Sequence, residues 1–285
     1  MNSSAAIREA AKKVVVAANE EAHLEAEVLL MHVLQVDRVQ LYTELREELS
    51  LIQTEKYHKL VQRRLLHEPL FYIIEHREFY GCEFYVDHRV LIPRPETELV
   101  VQTSLQFLKE HFIDQYQLCS IADIGTGSGI IAISLALSRP GVVVYATDIS
   151  AEALEVAVQN RQRHGVVNRV HFMLGDMLEP LSQPVNLIVA NLPYIPDVDF
   201  AALPPEIKLY EPAIALMGGK DGLDHIRRLL SQVEGKLRDD GAIILEIGKG
   251  QAHRVVALAR EQLPHARIDI ITDYAGIERV VKIIP

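Results

Sequence analysis

From residue 118 onward the chain alternates between short apolar runs and amphipathic stretches, and this rhythm constrains the fold more than any other feature. The apolar runs are "LCSIADIG", "VVVYATD", "RVHFML", "VNLIVAN", "AIILEIG", "ARIDIIT" and "RVVKIIP". Helical patterns separate most of them, namely "IIAISLALSR", "SAEALEVAVQNRQRHG", "GLDHIRRLLSQVEGKL" and "QAHRVVALAREQL". Runs that are apolar at nearly every position read as strands buried on both faces, and helical crossovers make such strands parallel. Only "DYAGIE" joins the last two runs, too little for a crossover helix, so the final strand should run antiparallel. The expectation is an α/β domain with a Rossmann-like seven-stranded sheet whose last strand is reversed.

The first part of the chain has a different period. "REAAKKVVVAANEEAHLEAEVLLMHVLQV" carries Leu24, Val28, Leu29, Met31 and Leu34 at helical spacing. "TEKYHKLVQRRLLHE" repeats the pattern with Tyr57, Leu60, Val61 and Leu65, and Pro69 ends it. Residues 1–70 therefore read as a small helical domain whose stripes form a core, and such a lobe is a place to grip a large substrate. Residues 71–93 include "REFYGCEFYVDHRVLI", an aromatic–polar alternation around Gly81 that predicts a β-hairpin linker. Residues 94–285 form the larger domain, which opens on "RPETELVV". There Pro95 suits a first helical turn, and Glu96 and Glu98 favour its positive end.

Composition narrows the class. A chain of 285 residues can bury the cores of two domains. Its net charge of −10 opposes sequence-blind attraction to duplex nucleic acid, which clustered Lys and Arg drive. Cys82 and Cys119 lie far apart in no metal-like spacing, which argues against structural zinc and for a reduced cytosolic pair. No apolar run approaches the ~20 residues of a membrane span, and the start shows no signal peptide, so a cytoplasmic protein is expected.

"IADIGTGSGIIAISLA" places Gly125, Gly127 and Gly129 between a strand and a helix, where missing side chains let a ligand approach the backbone. Dinucleotide enzymes use such loops as well. The next strand ends at Asp148, placed to take the two ribose hydroxyls of an adenosine-containing cofactor, or to cap the helix that begins near Ser150. In "LGDMLEP", Asp176 is a candidate acceptor for an adenine amino group and Met177 a candidate to pack on the ring. Asp123, ahead of the glycines, either helps bind the amino group of a methionine tail or caps nearby backbone. NAD and S-adenosylmethionine both remain open at this point.

The fourth run decides between them. "VNLIVANLPYIPD" delivers Asn191 to the carboxyl edge of the sheet, where ligands of such folds bind. A planar amide or aromatic amine nitrogen is a poor nucleophile because its lone pair is delocalised. Two acceptors that take its N–H groups favour a tetrahedral nitrogen, and the Asn191 side-chain oxygen and the Leu192 carbonyl are such a pair. Pro193 stiffens the turn and biases Leu192 towards an extended conformation, while Tyr194 offers a flat wall. Methyl transfer to nitrogen uses this device, and hydride transfer has no evident need of it.

With "HREFYG", "LIPRPETE", "DIGTGSG", "ANLPYIP", "YEPAIALMGGKDGLDHIRRL", "LEIGKGQ" and "DYAGIERVV", the chain resembles the HemK/PrmC-type peptide chain release factor glutamine methyltransferases over nearly its whole length. The resemblance implies a class I S-adenosylmethionine-dependent methyltransferase fold. It implies methylation of the glutamine side-chain amide in the Gly-Gly-Gln loop of class I release factors, with S-adenosylhomocysteine as the other product and no metal. By match, Gly125, Thr126, Gly127, Ser128, Gly129, Asp148, Met177 and Asn191 fall on cofactor positions. Asn191, Leu192, Pro193 and Tyr194 fall on the glutamine-binding motif, with the helical lobe and hairpin gripping the release factor. Neither duplex nucleic acid nor a membrane is an expected partner, and the protein should be a monomer.

Three positions depart from the family pattern. Leu192 stands where the motif usually has a second proline, Glu75 where a glycine is common, and Met177 where some relatives carry an aromatic residue. The rival readings are an adenine exocyclic-amine DNA methyltransferase, disfavoured by the acidic charge, and a ribosomal-protein glutamine methyltransferase, disfavoured by "PRPETE". A non-catalytic protein that binds release factor or ribosome is a further rival, and it would tolerate loss of Asn191.

Overall fold

The protein is described from a computed structural model, covering residues 2–15, 21–43, 45–112, 114 and 116–285. The chain forms two compact units, Met1–His76 with Pro204–Tyr210, and Arg77–Leu203 with Glu211–Pro285.

The first unit is helical: α1 (Ser3–Val15), α2 (Ala22–Leu34), α3 (Arg38–Thr43), α4 (Leu51–Leu65) and α5 (Leu70–Ile74). The helical reading of residues 16–20 lies outside the described residues. A capping box starts α4, where Ser50 and Gln53 satisfy each other's backbone N–H groups. Leu29, Leu30, Leu41, Tyr57, Val61 and Ile73 make the core. Leu24, one of the expected stripe, is instead 44% exposed. The inward face of α2 runs through Ala22, Ala26, Leu29 and Leu30, and Leu24 is turned away from it. Arg64 makes a bidentate pair with Glu25 at 2.8 and 3.0 Å, and both residues are buried. The late segment Pro204–Tyr210 joins this unit through Glu206, 3.0 Å from Arg64, and through the Tyr210 hydroxyl, which donates to the Leu66 carbonyl at 2.7 Å. Glu75 ends α5 at φ +62, the left-handed region, where a Cβ costs roughly 1–2 kcal/mol and glycine pays nothing.

Next comes the hairpin β1 (His76–Phe79) and β2 (Cys82–Tyr85), which belongs to the second unit from Arg77 onward and whose turn residues Tyr80 and Gly81 both have positive φ. After a short 3₁₀ turn at Pro95–Thr97 come α6 (Glu98–His111), β3 (Cys119–Ile124), α7 (Ile130–Ser138), β4 (Val142–Asp148) and α8 (Ala151–Arg163). Next are β5 (Val170–Leu174), β6 (Val185–Ala190), the short α9 (Asp197–Phe200) and α10 (Pro205–Tyr210, in the first unit), and α11 (Asp224–Ser231). The chain finishes with β7 (Leu237–Glu246), α12 (Ala252–Gln262), β8 (Arg267–Thr272) and β9 (Glu278–Ile284).

The sheet order is β5-β4-β3-β6-β7-β9-β8, with β9 antiparallel to both neighbours. This is the class I methyltransferase arrangement that the rhythm of the sequence predicts. One boundary differs. The stretch "GLDHIRRLLSQVEGKL" is helical only to Ser231, because Gly235 takes φ +71 and β7 starts at Leu237, opposite Val185.

Strand parity sorts the two cores. Leu187 and Val189 of β6 and Ala242 and Ile244 of β7 face α6 and α7, in the core with Val100, Phe107 and Leu135. Ile188, Ala190, Ile243 and Leu245 face the other way, towards Ile226, Leu229 and Val255 of α11 and α12. That parity decides where the polar residues at the strand ends point.

Candidate active site

At the carboxyl ends of β3, β4 and β6 a cavity opens between the glycine loop, Asp148, Met177 and Asn191. Parallel strands deliver their ends to one edge, which explains why residues distant in sequence meet here.

The glycine loop turns through positive φ at Gly125 (+68), Gly127 (+55) and Gly129 (+82). At Gly125 a Cβ would also stand 3.1 Å from Leu192 Cδ2, so Leu192 packs directly on the loop. Asp148 fastens the loop to β4. One of its carboxylate oxygens accepts from the Gly127 N–H at 2.8 Å and the other from the Ser150 N–H at 2.9 Å. Burial raises its pKa, and these backbone donors oppose the rise. Ser150 caps α8 by accepting from Ala153 N–H at 3.1 Å. Asn160 of α8 donates to the Ser128 carbonyl at 2.9 Å and exchanges hydrogen bonds with Tyr85, tying loop to hairpin.

Of the described residues expected at the site, Gly125, Thr126, Gly127, Ser128, Asp148, Asp176, Met177, Asn191, Leu192 and Pro193 line the cavity, whereas Asp123, Gly129 and Tyr194 do not. Parity turns Asp123 towards α7, where it accepts from Thr126 Oγ1 at 2.6 Å and Ala132 N–H at 3.2 Å. It is fully buried, and desolvation pushes its pKa up to about 7. Both bonds fall on Oδ2, which caps the loop and helix, while the buried Oδ1 has no hydrogen-bond partner among the described residues. Asp176 lies on the wall with its carboxylate paired to the Arg228 guanidinium. Met177 takes φ +48, and its carbonyl accepts from Thr147 Oγ1 at 2.8 Å.

The Asn191 turn is held from several sides. Its Nδ2 donates to Thr97 Oγ1 at 3.0 Å, which leaves Oδ1 as the side-chain acceptor for a ligand. Ile195 N–H bonds the Leu216 carbonyl at 3.0 Å, and Gly218 N–H bonds the Ile195 carbonyl at 2.8 Å. Gln251 Nε2 holds the Tyr194 carbonyl at 2.9 Å. At Gly222, with φ +77, a Cβ would come within 2.3 Å of the same carbonyl, so this position in "GGKDG" admits the turn only as glycine. The Tyr194 ring lies beside Gly248, behind the turn, and burial raises its phenol to about 12. Pro193 brings Tyr194 to that side, so the flat wall expected of it is not a wall of this cavity.

Thr97, His225 and Arg228 also line the cavity, and residue-level reasoning missed them. All three sit inside quoted motifs, Thr97 in "PRPETE" and the others in "GLDHIRRL". Arg94 and Glu211 pair at 2.5 Å, joining "PRPETE" to "YEPAIALMGG". Glu98 accepts from the Tyr80 N–H at 2.9 Å and so fixes the hairpin turn. Among the described residues no group of three or more His, Cys, Asp or Glu side chains is gathered as a metal site, and no helix is long and apolar enough to cross a membrane.

The chain matches the family model of the PrmC N-terminal domain over residues 5–74 and that of the methyltransferase small domain over residues 100–202. It is 39% identical over 258 residues to a release factor glutamine methyltransferase of Bacillus anthracis, covering 90% of each chain. It is 41% identical over 275 residues to the same enzyme of Moorella thermoacetica, covering 96% of this chain and 95% of the relative. A crystal structure of a methyltransferase from Pyrococcus furiosus, 16% identical, shares the fold with a TM-score of 0.51 over 72% of this chain and 89% of that one.

Proposed function

We infer the reaction from the family to which this chain belongs, the release factor glutamine methyltransferases: a methyl group passes from S-adenosylmethionine to the glutamine side-chain amide nitrogen in the Gly-Gly-Gln motif of class I peptide chain release factors. One observation of the structure carries the reading. Asn191 is tied through its amide nitrogen, so its oxygen is available at the cavity that the glycine loop and Asp148 also line.

The pocket suits the methyl donor. The glycine backbone at Gly125 and Gly127 would lie along the methionine tail, and the Asp148 carboxylate on the cavity wall would take the ribose hydroxyls. Met177 and Asp176, on the cavity wall, would flank the adenine, with Arg228 to be shared or displaced. When bound, S-adenosylmethionine supplies an electrophilic methyl on a sulfonium sulfur. Asn191 Oδ1 and the Leu192 carbonyl take the two N–H groups of the glutamine amide and favour a tetrahedral nitrogen whose lone pair faces that methyl. The nitrogen would gain the N–C bond as the S–C bond breaks with its electron pair kept by sulfur, and the N–H proton it sheds would pass to solvent water. Fixed acceptors lower the barrier by orientation and electrostatics, and the scheme uses no metal.

Asp148→Ala is expected to weaken S-adenosylmethionine binding by about one to two decades, the equivalent of roughly 1.5–3 kcal/mol for lost bonds to a charged acceptor. Calorimetric titration reads this directly, and unchanged affinity would remove Asp148 from the site.

The helical unit is proposed as the grip for the release factor, in a cytoplasmic enzyme that acts as a monomer. Deleting residues 1–70 should leave cofactor binding and impair methylation of the intact factor. Equal turnover by the truncated and full chains would sink that role. The reaction itself is tested with purified protein and labelled S-adenosylmethionine, offered release factor, ribosomal protein and DNA separately. Label should enter only the release factor.

A further inference from the structure

Thr97 has no part in the transfer scheme, yet it is buried and bonded to the residue on which that scheme depends. We propose that Thr97 and Glu246 form a positioning relay that fixes which way round the Asn191 amide faces, an inference that rests on the methyl-transfer reading above.

The geometry follows from strand register. In the parallel pair β6–β7, Ala190 lies opposite Leu245. The next residues, Asn191 and Glu246, therefore leave adjacent strands side by side. Both continue the parity of Val189 and Ile244, which face the core of α6. Pro95–Thr97, the turn that opens α6, brings Thr97 to both of them. Its hydroxyl accepts from Asn191 Nδ2 and faces the Glu246 carboxylate, whose ionised form it favours.

A threonine hydroxyl has one proton, and an ionised carboxylate only accepts. With an ionised Glu246 beside it, Thr97 turns its proton towards that carboxylate and accepts from Asn191, which commits Nδ2 to Thr97 and Oδ1 to the substrate. An asparagine amide turned over has nearly the same shape. In that orientation it would present N–H groups to the N–H groups of glutamine, and the acceptor pair would be lost.

Glu246 is 2% exposed, and its Oε2 has no hydrogen-bond partner among the described residues. Burial pushes its pKa up to about 7, and Glu96 adds to the rise, while Thr97, Arg279 and Arg94 oppose it. Tyr194 faces the same carboxylate and stays protonated. Once Glu246 gains a proton, its own O–H donates to Thr97. The Thr97 proton is then free to turn towards Asn191 Oδ1, and the amide loses its fixed sense. Turnover should accordingly fall as pH drops through about 7.

The test compares Thr97→Val, Thr97→Ser and Glu246→Gln by kcat and by S-adenosylmethionine affinity, which also reports that each variant is folded. Thr97→Val should lower kcat at least about tenfold, towards the hundredfold that a misplacement of about 1 Å costs, with cofactor affinity held within about twofold. Thr97→Ser should recover most of kcat. Glu246→Gln should lower kcat and abolish the limb near neutral pH. In parallel, selective ¹⁵N-asparagine labelling should show the Asn191 side-chain NH₂ protected from exchange in the wild type and unprotected in Thr97→Val. Wild-type kcat in Thr97→Val, or an unprotected Asn191 NH₂ in the unaltered protein, would overturn the relay. A wild-type protein that methylates no release factor would overturn the proposed reaction instead, and the amide resonance would still decide the relay.

Discussion

Asn191→Ala is expected to lose about two to three decades of turnover at saturating S-adenosylmethionine, the cost of deleting one preorganised catalytic hydrogen bond. The side-chain oxygen that takes a glutamine N–H disappears, and only the Leu192 carbonyl remains. Asn191→Asp separates acceptor chemistry from orientation. It retains an oxygen but adds a charge and loses the Nδ2 donor to Thr97, so it should fall well below wild type. The measurement is kcat for release factor at saturating cofactor. A protein that merely bound release factor would be indifferent to both changes.

Arg64→Ala should destabilise the helical unit by about 3–5 kcal/mol, because it withdraws the bidentate partner of a buried carboxylate, Glu25. The same change frees Glu206 and with it one tie of the segment Pro204–Tyr210. Replacing both members, as Glu25→Leu with Arg64→Leu, should recover much of the loss, since an apolar pair leaves no charge to desolvate. Denaturant unfolding followed by far-ultraviolet circular dichroism distinguishes the single from the double variant. Equal stability of Arg64→Ala and wild type would show that the pair contributes nothing net.

Much of this architecture is legible in the amino-acid order, for a physical reason. Strands such as "VNLIVAN" and "AIILEIG" are buried on both faces, so their apolar runs stand out, and the short "DYAGIE" link alone requires a reversed last strand. The glycine loop and Asp148 are legible because both lie at strand ends, where the fold gathers ligands. Residues whose direction depends on parity and partners are harder to read. Asp123 stands at the head of the glycine-loop motif, but its parity turns it onto α7. Tyr194 follows Asn191 closely, but the turn and the Gln251 bond place its ring beside Gly248. Thr97 lies 94 positions before Asn191, and no local pattern announces that they touch. Strand register, which pairs Ala190 with Leu245, was the missing signal for Glu246. The segment Pro204–Tyr210 shows the same limit, since its membership of the helical unit rests on tertiary partners, Arg64 and the Leu66 carbonyl.

The central claim is that the Asn191 turn presents acceptors to a glutamine amide. Its most direct test is methyl incorporation from labelled S-adenosylmethionine into a class I release factor carrying Gly-Gly-Gln, beside the same factor carrying Gly-Gly-Ala. The account predicts stoichiometric label on the glutamine substrate, none on the alanine substrate, and almost none on either with Asn191→Ala enzyme. Label on the Gly-Gly-Ala factor, or near wild-type turnover by Asn191→Ala, would contradict it.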